Sequence, residues 1–287
     1  GGARGALIAH QWKGLGDYEK SRADEMAAMG YVAFALDVYG KGVRCNTTAC
    51  AQAAMQAAMS NVSRLQRLIS AGTQQLLRWA DASSLVAIGY CFGGSIVLEL
   101  ARHPQRNASA GVEYRAVSSV HGVLAPLGAA AATGEVRARV QVHHAELDFQ
   151  GDGALASLEA ELKRGVNGTD GLWETAKYAK CEHGWTEPDS AVYRARAAVQ
   201  AHKATFEFFE MALGEEDPTS DPYPPLPFCR NDHDTAARTA AARALPPPPS
   251  PPSPPPPLPV PTSPALTEEF VFSAAYLNSS RQWGKCL

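Results

Sequence analysis

The chain has no run of 18 apolar residues, which excludes a membrane-spanning helix of ordinary length. It also lacks a dominant charge: 26 Lys+Arg against 29 Asp+Glu leave a net charge of -3. No basic block is interleaved with aromatic residues, so nucleic acid is not an expected partner. Cysteine is sparse, six in 287 residues, and no Cys-x-x-Cys pair occurs. A zinc ribbon is therefore excluded, and no metal or organic cofactor is expected. Neither an initiator Met nor a signal peptide is visible. The chain opens Gly1-Gly2-Ala3-Arg4, so a processed or trimmed form is expected.

Asparagine is rare too, with six residues, yet five begin an Asn-X-Ser/Thr triplet: Asn46, Asn61, Asn107, Asn167 and Asn278. Chance does not give so high a share, and each glycan needs a surface site. A secreted or cell-surface glycoprotein bearing N-linked glycans is the expectation. The cysteines fit that compartment. Cys45 and Cys50 can close a small loop in a polar segment. If Cys91 is a free catalytic thiol, Cys181, Cys229 and Cys286 leave an odd cysteine, unpaired or linked to another chain.

Over the first 210 residues, short apolar runs alternate with helical patterns. That alternation predicts an α/β fold, a mostly parallel sheet with helices on both faces. Strands are expected at 5–10, 32–35, 85–89, 116–121 and 137–143, with a short last one at 178–180. Helices are expected at 18–29, 94–102, 155–163 and 190–213, the last capped by Asp189 or Ser190. The Ala-rich stretch 49–80 contains Ser60-Asn61 and Ala71-Gly72, so it should divide into two helices. This first domain ends at about residue 214. Residues 215–245 read as a linker. Residues 246–264, PPPPSPPSPPPPLPVPTSP, form a proline-rich rod. At ~3.1 Å per residue a polyproline II helix of that length spans roughly 60 Å. The tail 265–287, with Phe270, Phe272, Tyr276 and Trp283, is too small to fold alone. It is expected to pack on the first domain or on a partner.

The chemistry centres on Gly89-Tyr90-Cys91-Phe92-Gly93, directly after the apolar run Leu85-Val86-Ala87-Ile88. Small residues around a nucleophile, between a strand and a helix, are the nucleophile elbow of an α/β-hydrolase. The start of the following helix favours a thiolate there. His183 follows the last strand, where such a fold carries its base; His143 and His144 are weaker rivals. Asp148, after the strand at 137–143, can hold the imidazole in its working tautomer, with Glu146 and Asp152 as alternatives. The oxyanion hole needs two N–H groups, expected from Phe92 and from the loop 10–14, at Trp12.

These residues together resemble the dienelactone hydrolase family. The matching pieces are His-Gln-Trp-Lys-Gly-Leu at 10–15, Gly-Tyr-Val-Ala at 30–33, Asp-Val-Tyr-Gly at 37–40, Gly-Tyr-Cys-Phe-Gly-Gly at 89–94, Asp148, and His-Gly-Trp-Thr-Glu-Pro at 183–188. Tyr193, Ala197-Ala198 and Phe208-Phe209 also fit. The resemblance covers about residues 5–211 and implies an α/β-hydrolase with a Cys91–Asp148–His183 triad. Members carry an extra N-terminal strand or hairpin before the segment at Gly5. Founding members have a glutamate where this chain has Gln11, and a carboxylate-binding arginine where it has Glu187. Gln11, Trp185 and Glu187 are thus expected at the substrate pocket. A small neutral ester, lactone or thioester suits them better than a dicarboxylic lactone. The proline-rich rod resembles those of algal hydroxyproline-rich glycoproteins, which implies hydroxyproline-linked glycans and a stiff spacer. Gln11, Glu187 and the rod also motivate an alternative: a structural glycoprotein that keeps the hydrolase fold for extracellular or cell-surface assembly through its tail.

Overall fold

In the computed structural model, residues 2–104, 112–166 and 173–214 are described. The expectations for 215–245, 246–264 and 265–287, for Asn107, Asn167 and Asn278, and for Cys229 and Cys286 lie outside those residues.

Six strands are hydrogen-bonded side by side: β1 (Gly5–Ala9), β2 (Val32–Leu36), β3 (Leu85–Tyr90), β4 (Ala116–Val120), β5 (Arg139–Leu147) and β6 (Trp173–Glu182). Their order is β2-β1-β3-β4-β5-β6, and every neighbouring pair is parallel. Parallel neighbours need crossovers; α1 (Asp17–Ala28), α2 (Thr48–Met59), α3 (Val62–Leu76), α4 (Phe92–Arg102) and α5 (Gly151–Gly165) lie between strands, and α6 (Ala195–Gly214) follows the last one. The central strands β1 and β3 are almost wholly apolar because alternate side chains feed two cores. Leu7, Ala9, Leu85 and Ala87 face α3, α4 and α5 through Leu65, Ile69, Ile96 and Leu158. Ala6, Ile8, Val86 and Ile88 face α1 and α6 through Met26, Phe208 and Phe209.

The Ala-rich stretch breaks at Ser60, and Asn61 caps α3 by accepting from Arg64 N at 2.9 Å. Ala71-Gly72 does not break it. Gly72 sits inside α3, where a Cβ would overlap the side chain of Leu36. The helix expected from residue 94 begins at Phe92, so Gly93 and Gly94 lie within its first turn. The helix expected at 155–163 begins at Gly151, and β5 runs on to Leu147 rather than stopping at 143.

The largest departure is β6. It has ten residues, not the three expected, and its side chains are mostly half-buried or exposed. As the edge strand it needs no apolar face on both sides, and charged residues such as Lys177 and Lys180 suit an edge. The last helix starts at Ala195, not 190. Residues 184–194 form successive turns instead, and neither expected cap starts the helix: Ser190 Oγ accepts from Val192 N at 3.3 Å. Cys45 and Cys50 form a disulfide, whereas Cys91 and Cys181 are free thiols. Asn46 and Asn61 are exposed.

Candidate active site

The turn at Cys91 is forced by its neighbours. Cys91 has φ 53° and ψ -114°, a left-handed conformation that non-glycine residues seldom adopt. Cys91 N donates to Val120 O, and Val123 N donates to Cys91 O, both at 3.1 Å, so the elbow is pinned to the end of β4. The glycines allow the tight passage. A Cβ on Gly89 would overlap the backbone of Gly93, and one on Gly93 would overlap the carbonyl of Ala9.

His183 follows β6 directly, and its Nδ1 donates to Asp148 Oδ2 at 2.8 Å. The other oxygen, Asp148 Oδ1, accepts from Gln150 N at 3.1 Å and Gln150 Nε2 at 3.2 Å. Gln150 in turn bridges to Gly122 O and Leu124 N at 2.9 and 2.8 Å. Burial opposes the Asp148 charge, but the bonds from His183 and Gln150 outweigh it and hold its carboxyl below the usual range. Burial likewise opposes a charge on His183, yet the bond to Asp148 and the adjacent Cys91 sulfur push it up to about 10. His183 Nε2 is buried without a partner in hydrogen-bond geometry. Cys91 is close enough to act on the ring electrostatically without meeting that stricter geometry.

The loop 10–14 is fixed carbonyl by carbonyl. Gln11 O accepts from His10 Nδ1 at 2.6 Å and from Gly14 N at 3.2 Å. Trp12 O accepts from Tyr39 Oη at 3.0 Å, and Lys13 O from Cys45 N at 2.9 Å. His10 is fully buried, which lowers its pKa to about 4, so the ring is neutral and serves only as a brace. In a trans peptide the C=O and the next N–H point opposite ways. Holding Gln11 O therefore sets the direction of the Trp12 N–H. Phe92 begins α4, so its N–H has no acceptor within the helix.

A cleft of about 360 Å³ opens at this point. Cys91 and His183 line it together with Gln11, Trp12 and Glu187. Trp185, expected there as well, does not line it. Its indole is fully buried, packed edge-on against His121 at 5.1 Å and tilted against Tyr178 at 5.1 Å. Asp148 lies behind His183, with its side chain shielded from solvent. His143, a rival base, is buried beneath the sheet with its ring bonded to Tyr178 and Thr205, and burial lowers its pKa to about 3. His144 is buried and its pKa is also lowered, chiefly by burial. Glu146 accepts from Lys180 N, and Asp152 pairs with Lys177; neither reaches His183.

Sequence reasoning missed several lining residues: Lys13, Tyr18, Met55, His121 and Phe149. His121 is buried at φ 39°, and its Nε2 meets Thr186 Oγ1 at 2.8 Å, which meets Tyr18 Oη at 2.7 Å. Its ring stands edge-on to His183 at 5.3 Å. The available signal was position: His121 directly follows β4, at the carboxyl end of a parallel strand, where ligand sites of such sheets lie. Among the described residues no group of three or more His, Cys, Asp or Glu side chains is arranged to hold a metal ion.

The profile of the dienelactone hydrolase family matches residues 2–213. The chain belongs to the dienelactone hydrolase family. This family member is similar in structure to m3DLH, with a TM-score of 0.64 and 26% identity over 74% of this chain and 88% of that one. It is equally similar to P91, a dienelactone hydrolase-like promiscuous phosphotriesterase from metagenomic libraries: TM-score 0.64, 25% identity, 75% and 88% covered. In sequence it is 30% identical to the uncharacterized protein K02A2.1 of Caenorhabditis elegans over 140 residues, 46% of this chain and 83% of that protein. Membership places this chain among hydrolases on the α/β-hydrolase fold.

Proposed function

We propose that this protein hydrolyses a small neutral ester, lactone or thioester through Cys91, His183 and Asp148. The observation that carries the reading is the 2.8 Å Asp148–His183 bond, with the unpartnered Nε2 of His183 beside the free thiol of Cys91. With its pKa pushed up to about 10, His183 holds a proton at neutral pH. It suits a resting ion pair with the Cys91 thiolate better than a role as a waiting base. The sulfur attacks the carbonyl carbon, and the N–H groups of Trp12 and Phe92 receive the oxyanion. Collapse breaks the bond to the leaving alkoxide, which takes the Nε2 proton of His183. The now neutral ring deprotonates a water that attacks the thioester. The acid departs and the ion pair returns. Asp148 steadies the imidazolium throughout.

The departures at Gln11 and Glu187 support a neutral substrate. Gln11 Nε2 donates to Glu187 Oε1 at 2.9 Å, so the residues at these two family positions pair with each other. The likeness to P91 makes phosphotriesters a second substrate class to assay. The test is Cys91→Ala against wild type on small activated esters. A loss of at least 100-fold is expected, and equal rates would refute the mechanism. Iodoacetamide at neutral pH should alkylate Cys91 first. A thiol that stays inert in folded protein would favour the non-catalytic scaffold.

We also propose that the protein is an extracellular or cell-surface glycoprotein. The exposed Asn46 and Asn61 and the Cys45–Cys50 disulfide support this. Enzymatic removal of N-glycans from the natively expressed protein should increase its gel mobility, and an unchanged band would count against it.

A further inference from the structure

One end of the cleft holds two hydrogen-bond acceptors that lack a donor among the described residues. Gln11 Nε2 and Lys13 Nζ both engage the same atom, Glu187 Oε1, at 2.9 and 3.4 Å. A carboxylate only accepts, so the Gln11 amide must turn its NH₂ toward Glu187 and its carbonyl oxygen away. Among the described residues neither Gln11 Oε1 nor Glu187 Oε2 has a donor. Both residues line the same cleft as Cys91. Gln11 is largely buried and the Glu187 side chain is 23% exposed, and neither oxygen is sealed from the water of the cleft. A bound molecule that covers this end must bring donors, or two polar atoms lose water without replacement.

Charge decides which donors fit. Lys13 lies against Glu187, so the pair is neutral as a unit. An ammonium group would approach the Lys13 charge. A carboxylate would bring a second negative charge against the Glu187 carboxylate, with nothing to donate to either free acceptor. A hydroxyl donates and brings no charge, and two neighbouring hydroxyls match two acceptors. Elsewhere on the wall, Trp12, Met55, Val123 and Phe149 offer apolar surface for a carbon skeleton.

We propose that Gln11 and Glu187 form a subsite for the hydroxyl groups of an ester built on a polyol or a hydroxy acid. This rests on the ester-hydrolase reading and names the substrate class within it. Two matched pairs test it: glycerol monobutyrate against propyl butyrate, with hydroxyls in the alcohol, and ethyl glycerate against ethyl propanoate, with hydroxyls in the acyl group. Wild type should favour the hydroxylated member of one pair by about 10-fold in kcat/KM, mostly through KM, as expected for a charge-assisted hydrogen bond. Glu187→Met should bring that ratio to about one, and Gln11→Met should lower it from the other side. Glu187→Gln, which keeps an acceptor oxygen, should retain part of it. Butyrylcholine and the anionic 3-(butyryloxy)propanoate should both be poorer substrates than glycerol monobutyrate. Ratios near one in both pairs, a ratio that survives in both Met variants, or a charged ester that outruns glycerol monobutyrate would overturn the subsite while leaving the hydrolase standing. If wild type turns over none of these esters, both readings fall together.

Discussion

Replacing Asp148 by Asn keeps the shape of the side chain and removes the charge that His183 leans on. The bond between them is 2.8 Å long and its carboxylate side is shielded from solvent. A charge-assisted hydrogen bond of that kind contributes about 1.5–3 kcal/mol. At ~1.4 kcal/mol per pH unit, its loss should lower the His183 pKa from about 10 by about 1–2 units. The same energy taken from the transition state lowers kcat/KM at pH 8 by about 10- to 100-fold. The sign of the pH dependence follows from the raised value. His183 binds its proton more tightly folded than unfolded, so its contribution to stability is complete below about pH 6.5 and lost as pH rises through about 10. The depressed Asp148 closes the gap again in strong acid, where its own carboxylate takes up a proton. Two assays read this: kcat/KM for an alkyl ester from pH 6 to 11, and urea unfolding of both proteins over the same range. The alkaline limb of Asp148→Asn should move to lower pH, and its stability deficit should vanish above about pH 10. An unmoved limb, or a deficit that persists at the alkaline end, would refute the ion-pair reasoning.

Three further outcomes follow from the packing. Burial holds His10 at a pKa of about 4 and His143 and His202 at about 3, so all three are neutral when folded. Their contribution is complete above about pH 6.5 and lost as pH falls toward those values, so urea midpoints should drop steeply across that window, by up to about 1.4 kcal/mol per histidine per pH unit. Glu161→Ala would strand Arg102, which is 1% exposed and bonds Glu161 through Nε and Nη2 at 2.8 and 2.9 Å. Breaking such a buried pair should cost about 3–5 kcal/mol in chemical denaturation. Gly93→Ala would drive a methyl group into the Ala9 carbonyl, so the variant should lose soluble folded protein or shift the elbow; wild-type solubility and near-UV circular dichroism would contradict this.

The Asp148→Asn experiment depends on residues that stand out in the sequence because each sits at a punctuation point. Cys91 lies between an apolar run and glycines, Asp148 after a strand, and His183 at the end of another. The inner strands β1 and β3 were legible for a related reason: both faces are buried, so nearly every residue is apolar. The edge strand β6 was not. One side has no neighbour, all its side chains but that of Cys181 are half-buried or exposed, and its charged residues read as loop. The start of α4 was misplaced because Gly93 and Gly94 look like helix breakers. Their missing side chains are what let the helix pack against β1 and Gly122.

The sequence by itself determined the chemistry that can occur: a thiol on an elbow, an imidazole and a carboxylate in hydrolase order, and a sheet that holds them. Local rules suffice there, since strand, turn and helix preferences act over a few residues. Only the tertiary structure decided what surrounds that chemistry. Gln11 and Glu187 lie 176 positions apart yet share a hydrogen bond, Trp185 turns away from the cleft, and His121 joins Thr186 and Tyr18. Such pairings arise where separate strand ends meet at one edge of the sheet, and no local pattern encodes a contact made across that distance.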